Sequence, residues 1–261
     1  MTIYTGVADA NGDFTVPFSS SYTGGEKITV TAEVSGATKS IELFAPSSVI
    51  GGDSALQFSG SLVNFPDNCG NITISKMKNI KAYAFTIFEL ATGITVNSDV
   101  ITIAANAFRF NDAPPIKHVR LLANTLTSIG SYAFYGMTEC TELIIAAATS
   151  IGTQAFFNMN KVQNLVLPEG LLTLADGVFY AWTGLKKASF PSTLTSIGSN
   201  CCYNWSGCVE IIMKSTTPPT IAYDTFYELN AACVIKVPAD SVAAYQAAPN
   251  WSAFASYIQA I

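Results

Sequence analysis

Side chains able to do chemistry are few in this chain. There is one histidine, His118, so any Ser-His-Asp or Cys-His relay has to be built around it. It stands beside Val119 in an alternating stretch, as an exposed strand histidine would. No HExxH, G-x-S-x-G, Walker or GxGxxG pattern appears. Carboxylates are sparse and scattered, and their spacing alone does not define a glycosidase pair. Six cysteines raise a disulfide or zinc reading. Adjacent Cys201 and Cys202 cannot both face one tetrahedral metal comfortably, and with Cys233 they lack CxxC spacing. Cys69, Cys140 and Cys208 recur at one position of a repeat where Val162 and Leu185 stand elsewhere, which marks a structural thiol. Asp9, Asn11 and Asp13 place oxygen ligands at alternate positions as a calcium loop does. No bidentate acid follows at loop spacing, the nearest being Glu26, so an Asn11-Gly12 hairpin turn is the simpler account. The expectation is a protein with no catalytic residue, metal or cofactor.

The elements that would position these residues follow from a repeat. An aliphatic residue followed five positions later by Phe recurs: Ile80/Phe85, Ile103/Phe108, Ile129/Phe134, Ile151/Phe156, Leu174/Phe179, Ile197/Cys202 and Ile221/Phe226. Successive Phe-phase positions lie 23, 26, 22, 23, 23 and 24 residues apart. Such a period belongs to solenoids with repeats of roughly 20–29 residues. A second apolar pair follows each Phe position: Ile94/Val96, Val119/Leu121, Leu143/Ile145, Leu165/Leu167, Ala188/Phe190, Ile211/Met213 and Ile235/Val237. Alternation at period two predicts a half-buried strand. Phe58, Val63 and Ile72/Ile74 form a degenerate first unit. The Phe position is expected to point inward, with Cys202 as a smaller buried occupant and Trp205 helping to fill the space.

These residues carry a resemblance. "LTSIGSYAFYGMTEC" and "LIIAAATSIGTQAF" resemble BspA-type leucine-rich repeats and their I-G-x-x-A-F-x-x-C-x-x-L pattern over about residues 55–237. "TTPPTI" at 216–221 and "CVIKVPADSVAAYQAAPNWSAF" are similar to the last repeat and closing segment of that family. The resemblance implies a solenoid of about seven or eight coils with a parallel β-sheet on one face, over residues 47–238. It says little about the ligand, because the family is diverse in what it binds.

Residues 1–46 precede the repeat. "DFTVPF", "KITVTAEV" and "KSIELFAP" are strand candidates separated by Asn11-Gly12, Gly24-Gly25 and Ser35-Gly36. They look like part of a bacterial immunoglobulin-like domain, about half of a sandwich. Such a fragment would pack on the first coil or complete itself with another chain, as a homo-oligomer or on a tail-protein partner. Residues 239–261 are expected to cap the solenoid. Asp240 or Ser241 would N-cap a helix over SVAAYQAA, and Asn250 would start a second helix with Trp251, Phe254, Ile258 and Ile261 on one face.

A net charge of −5 and a charged fraction of 12% argue against a nucleic-acid groove. Mean hydropathy is +0.34, yet no apolar run approaches a membrane span, so no membrane insertion is expected. The opening residues MTIYTGVADANGDF show no basic region followed by an apolar core, and no signal peptide is read there.

Two surfaces are candidates for binding. On the strands, residues flanking the inward pairs form two outward columns. One holds Arg120, Ile144, Val166 and Ile212. The other holds His118, Glu142, Asn164, Lys187 and Glu210. Exposed Ile144, Val166 and Ile212 rimmed by charge would mark an interaction site, or else an unused sheet face. The second surface is an aromatic stripe one residue after the Phe position: Tyr135, Phe157, Tyr180, Tyr203 and Tyr227. It could bind sugar faces or form the outer wall of the core. Nearby, Met137, Met159, Trp182 and Trp205 make a bulky row. The pairing of a β segment with such repeats resembles bacterial surface adhesins and accessory proteins of phage or prophage tails. The expected role is recognition of a cell-surface protein or glycan, at a cell surface or on a virion. The rival expectation is an assembly subunit whose apolar strip packs on a neighbouring protein.

Overall fold

The computed structural model describes residues 27–34 and 37–44 as backbone, and residues 71–74, 78–85, 91–97, 99–110 and 114–261 with their side chains. The chain divides into two compact units, Met1–Ile50 and Gly51–Ile261. In the first, β1 (Lys27–Val34) and β2 (Ala37–Phe44) pair antiparallel from Lys27↔Phe44 to Val34↔Ala37. The DFTVPF strand, the Asp9–Asp13 loop, Phe58, Val63 and Cys69 lie outside the described residues.

In the second unit each coil but the last supplies one long and one short strand. The long strands are β3 (Asn71–Ile74), β5 (Gly93–Val96), β7 (His118–Leu121), β9 (Glu142–Ile145), β11 (Asn164–Val166), β13 (Lys187–Phe190), β15 (Glu210–Met213) and β17 (Val234–Val237). The short strands are β4 (Asn79–Ile80), β6 (Thr102–Ile103), β8 (Ser128–Ile129), β10 (Ser150–Ile151), β12 (Thr173–Leu174), β14 (Ser196–Ile197) and β16 (Thr220–Ile221). Both sets pair in parallel, coil on coil, which makes a parallel β-solenoid of about eight turns. The short strands form one continuous seven-stranded sheet.

Period-two alternation sends one apolar pair per long strand inward. Ile94, Val96, Val119, Leu121, Ile211, Met213, Ile235 and Val237 are all fully buried. The Phe positions face them as the sequence predicts. Phe85, Phe108, Phe134, Phe156 and Phe179 are buried and stack in series, with centroids 4.8, 4.9, 5.3 and 5.9 Å apart. These spacings follow the interstrand distance, because each ring is carried by its own coil. Cys202 continues the row, fully buried, and Cys201 takes the small-residue slot held by Ala133 and Ala155 in earlier coils. Trp205 leans back toward Phe179 and Phe190, at 6.4 and 6.2 Å. Its indole N–H donates to Phe179 O at 2.9 Å, as that of Trp182 does to Phe156 O at 2.7 Å. Met137 and Met159 complete this buried row.

Tight corners require left-handed backbone. It occurs three residues after the short-strand aliphatic position, at Tyr132, Gln154, Gly177 and Asn200, and two residues after the Phe position, at Gly136, Asn158, Ala181 and Asn204. Coils also approach closely at the glycine after the short-strand isoleucine. A Cβ on Gly152 would lie 2.6 Å from Ser131 N of the preceding coil.

The C-terminal segment departs from the sequence expectation. A 3₁₀ turn (Ala239–Ser241) leads into α1 (Val242–Ala247), and neither Asp240 nor Ser241 makes a side-chain cap. After Asn250 the chain forms a 3₁₀ helix (Trp251–Tyr257) and then strand β18 (Ile258–Ala260), parallel to β17. Ile258 is therefore a strand residue and not part of a helical stripe. The sheet end offered by β17 supplies ladder partners that outcompete the apolar helical spacing. Asn250 sits at φ 64° and its side-chain amide donates to Ile221 O at 2.6 Å. Trp251 is fully buried against Phe226 and Tyr245, and donates to Pro219 O.

Candidate functional site

The long-strand face carries the first set of sequence-predicted residues. Registers Thr95↔Arg120↔Ile144 and Val166↔Ser189↔Ile212↔Lys236 form one outward column. Gly93↔His118↔Glu142 and Asn164↔Lys187↔Glu210↔Val234 form the other. The face is not one sheet. β3, β5, β7 and β9 make a four-stranded sheet, and β11, β13, β15, β17 and β18 a five-stranded one.

Two differences in the chain coincide with this break. Ala146 N donates to Leu121 O at 2.8 Å, and the equivalent residue one coil later is Pro168, which has no N–H. Pro191 and Pro238 fill the same slot in later coils that stay paired, so the lost donor alone does not open the sheet. The following corner, Pro168–Leu171, is also longer by a residue and turns through Gly170 at φ 90°. The short strands keep a 22-residue offset from Ser128 to Ser150, and the same offset relates Ile144 on β9 to Val166 on β11. Ile144 is 38% and Val166 66% exposed, whereas Ile212 is half-buried and separated from them by Ser189.

The charges on this face pair along the coils. Arg120 meets Glu142 at 2.6 Å. Glu210 lies between Lys236 at 2.6 Å and Lys187 at 3.3 Å. At the strand entry, Glu139 is shared by Lys117, at 2.7 Å, and Lys161. At the strand exit Lys214 reaches Glu169 at 3.1 Å. Hydrogen bonds from Lys117 and Lys161 bring the Glu139 carboxyl down to about 2. Lys236 and Lys187 lower Glu210, and Arg120 lowers Glu142. The Glu139 cluster went unread in the sequence, although Lys117, Glu139 and Lys161 stand 22 residues apart. That charge alternation at the coil period was the available signal.

His118 reaches across Gly93 to Asn71, its Nε2 2.8 Å from Asn71 Oδ1. A Cβ at Gly93 would lie 2.2 Å from the imidazole, so the missing side chain makes the seat for the ring. Partial burial, and then Arg120, lower the His118 pKa. Burial pushes Cys140 up to about 11 and raises Cys202 as well, so neither is an activated thiolate. Among the described residues no three His, Cys, Asp or Glu side chains gather as metal ligands, and no helix is long and apolar enough to cross a membrane.

The aromatic stripe stacks ring on ring. Tyr135–Phe157, Phe157–Tyr180, Tyr180–Tyr203 and Tyr203–Tyr227 are 4.6, 5.0, 4.4 and 5.7 Å apart, with planes within 14°. Arg109 closes one end, its guanidinium 5.1 Å from Tyr135 and 5.4 Å from Tyr132. Glu228, by hydrogen bonding, pushes the Tyr203 hydroxyl up to about 12. The inner ring faces of the row are occupied by neighbouring rings, Arg109 lies against Tyr135, and Tyr227, 57% exposed, ends the row stacked on Tyr203 on one side. Stacking of a sugar needs an open ring face, and within the row those faces are turned to one another.

Comparison with known proteins adds the following. A leucine-rich repeat protein of T. pallidum is 14% identical, with 55% of this chain and 79% of that one covered at a TM-score of 0.41. A leucine-rich repeat protein of Bacteroides ovatus is 14% identical, with 66% and 52% covered at 0.40, so this chain spans about half of it. A leucine rich cell surface protein of Faecalibacterium prausnitzii is 17% identical, with 92% and 70% covered at 0.43. No curated protein matches the sequence significantly. The profile of the BspA type leucine rich repeat region matches in six copies, over residues 61–150 and 109–233. These matches run along the coils that carry the stacked Phe row and the split strand face, over more than half of the chain, and the chain belongs to the BspA-type leucine-rich repeat family.

Proposed function

We propose that this chain is a non-enzymatic recognition module that docks a macromolecular partner on its long-strand face. One observation carries the reading. Ile144 and Val166, at the same outward position on consecutive long strands, are held out to solvent, while the other described strand aliphatics are mostly buried. The flanking Arg120–Glu142 and Glu210 ion pairs are fixed along the coils and give the surface a defined charge pattern. The aromatic row is assigned to the wall of the solenoid because its inner ring faces are stacked on one another. The setting proposed is the surface of a bacterial cell or a phage tail, with residues 1–46 as the attachment segment.

The test is binding of the purified chain to whole bacterial cells. Changing Ile144, Val166 and Ile212 together to Asp should abolish it. Undiminished binding would overturn the assignment of the face. If the intact face is instead found buried against a neighbouring subunit in an assembled particle, the protein is an assembly component.

A further inference from the structure

The proposed recognition face also has a sign of charge opposite to that of the whole chain. The protein carries a net −5. Yet the carboxylates of Glu139 and Glu210 each sit between two lysines, so each cluster keeps one positive charge in surplus. Lys186, at the entry of β13, meets no carboxylate and contacts only Gly207 O at 3.5 Å. Glu142 and Glu169 each neutralise a single cation. The strand face and its entry flank therefore carry surplus positive charge, while the exit flank, where Lys214 is paired with Glu169 and Asp99 and Asp240 are exposed, does not. The exposed aliphatic pair lies within that surface, with the Glu139 cluster at its strand-entry side and the Glu210 cluster beginning on the next strand.

On the reading that this face binds, we infer that its partner is an acidic protein segment. The partner's carboxylates would meet the surplus lysine charges, and an apolar side chain would cover Ile144 and Val166. Charge complementarity selects the sign of the partner and speeds encounter, while the apolar pair supplies a desolvated centre. An anionic polysaccharide satisfies the first condition and not the second. It has no aliphatic or aromatic side chain to cover Val166, and the face offers no open ring against which a sugar could stack. A protein segment that alternates acidic and apolar residues satisfies both.

The probes are two fluorescein-labelled synthetic peptides and a polysaccharide. One peptide repeats Glu-Leu-Asp-Phe, the other repeats Lys-Leu-Lys-Phe, and hyaluronan serves as an anionic polymer without apolar side chains. Fluorescence anisotropy with the full chain should show binding of the acidic peptide only, weakening as sodium chloride is raised. Val166→Asp and Lys187→Glu should each weaken it by at least about tenfold, or about 1.4 kcal/mol. Glu210→Gln, which frees two lysines, should tighten it. Hyaluronan binding as tight as that of the peptide would overturn the inference, as would peptide binding indifferent to Val166→Asp. Sedimentation of the chain alone is the companion measurement. Self-association abolished by Val166→Asp would make the occupant a second copy and overturn it too. The whole-cell assay separates this inference from the reading beneath it. Loss of cell binding in the triple Asp variant, with Lys187→Glu and Lys236→Glu unaffected, keeps the face and rejects the acidic partner. Unchanged binding in the triple variant rejects the face itself.

Discussion

A single ring shows what each coil contributes. Phe156 is fully buried between Phe134 at 5.3 Å and Phe179 at 5.9 Å, so truncating it removes contacts with the coil on either side. Phe156→Ala should cost about 3–5 kcal/mol in urea denaturation, the range for emptying a buried aromatic site. The inward rung was legible because burial recurs with the coil and leaves a periodic trace in the chain. The ion clusters were less so, since pairing Glu139 with Lys117 and Lys161 requires the register of neighbouring coils. Glu139 also makes a pH prediction. Its folded pKa lies near 2, below its ordinary 4.5, so its contribution is complete above about 4.5 and is lost as pH falls toward 2. Thermal midpoints of wild type and Glu139→Gln should differ near pH 6 and converge as the pH is lowered through that window.

Corners and strand ends decide how far a coil can follow the repeat. Most of the left-handed corner positions are held by Gly, Asn or Gln, but Tyr83, Tyr132 and Glu228 hold others and Ala181 holds one at φ 62°. An L-residue there costs about 1–2 kcal/mol, partly offset by the extra freedom glycine has when unfolded. Ala181→Gly should therefore raise the thermal midpoint by a few degrees. Gly136→Ala should lower it at the equivalent corner, where φ is 78° and nothing lies within 4 Å of the added methyl. Scanning calorimetry of the two variants tests the pair. The break between β9 and β11 was not legible, because it coincides with a corner that lengthens by one residue and not with any change in the apolar pattern that identifies strands. The same holds for β18. The spacing of Trp251, Phe254 and Ile258 fits a helical stripe, but the open edge of β17 turns Ile258 into a ladder residue. The outward columns were legible from alternation alone. Which of their aliphatic members is exposed was not, since Ser189 and the break set Ile144 and Val166 apart from Ile212.

At the scale of the molecule, each coil rests only on its neighbours, so an uncovered end exposes the apolar interior. At the C-terminal end that interior is sealed by Trp251, by Tyr245 donating to Ser215 O, and by β18 on β17. A chain truncated after Pro238 should bind a hydrophobic dye such as ANS and sediment as larger species, while the full chain does neither. The family-level architecture was readable because the repeat imposes one pattern on most of the chain. The partner was not, because its chemistry rests on exposed positions that vary freely from coil to coil. The outer aromatic row has an optical consequence. Four tyrosines and one phenylalanine held nearly parallel at 4.4–5.7 Å align their transition dipoles, as chromophores do in a stacked dye aggregate. Such coupling gives the protein an intrinsic near-ultraviolet circular dichroism signal that depends on coil-to-coil register, so fraying from one end would fade it ring by ring before the far-ultraviolet signal of the sheets is lost.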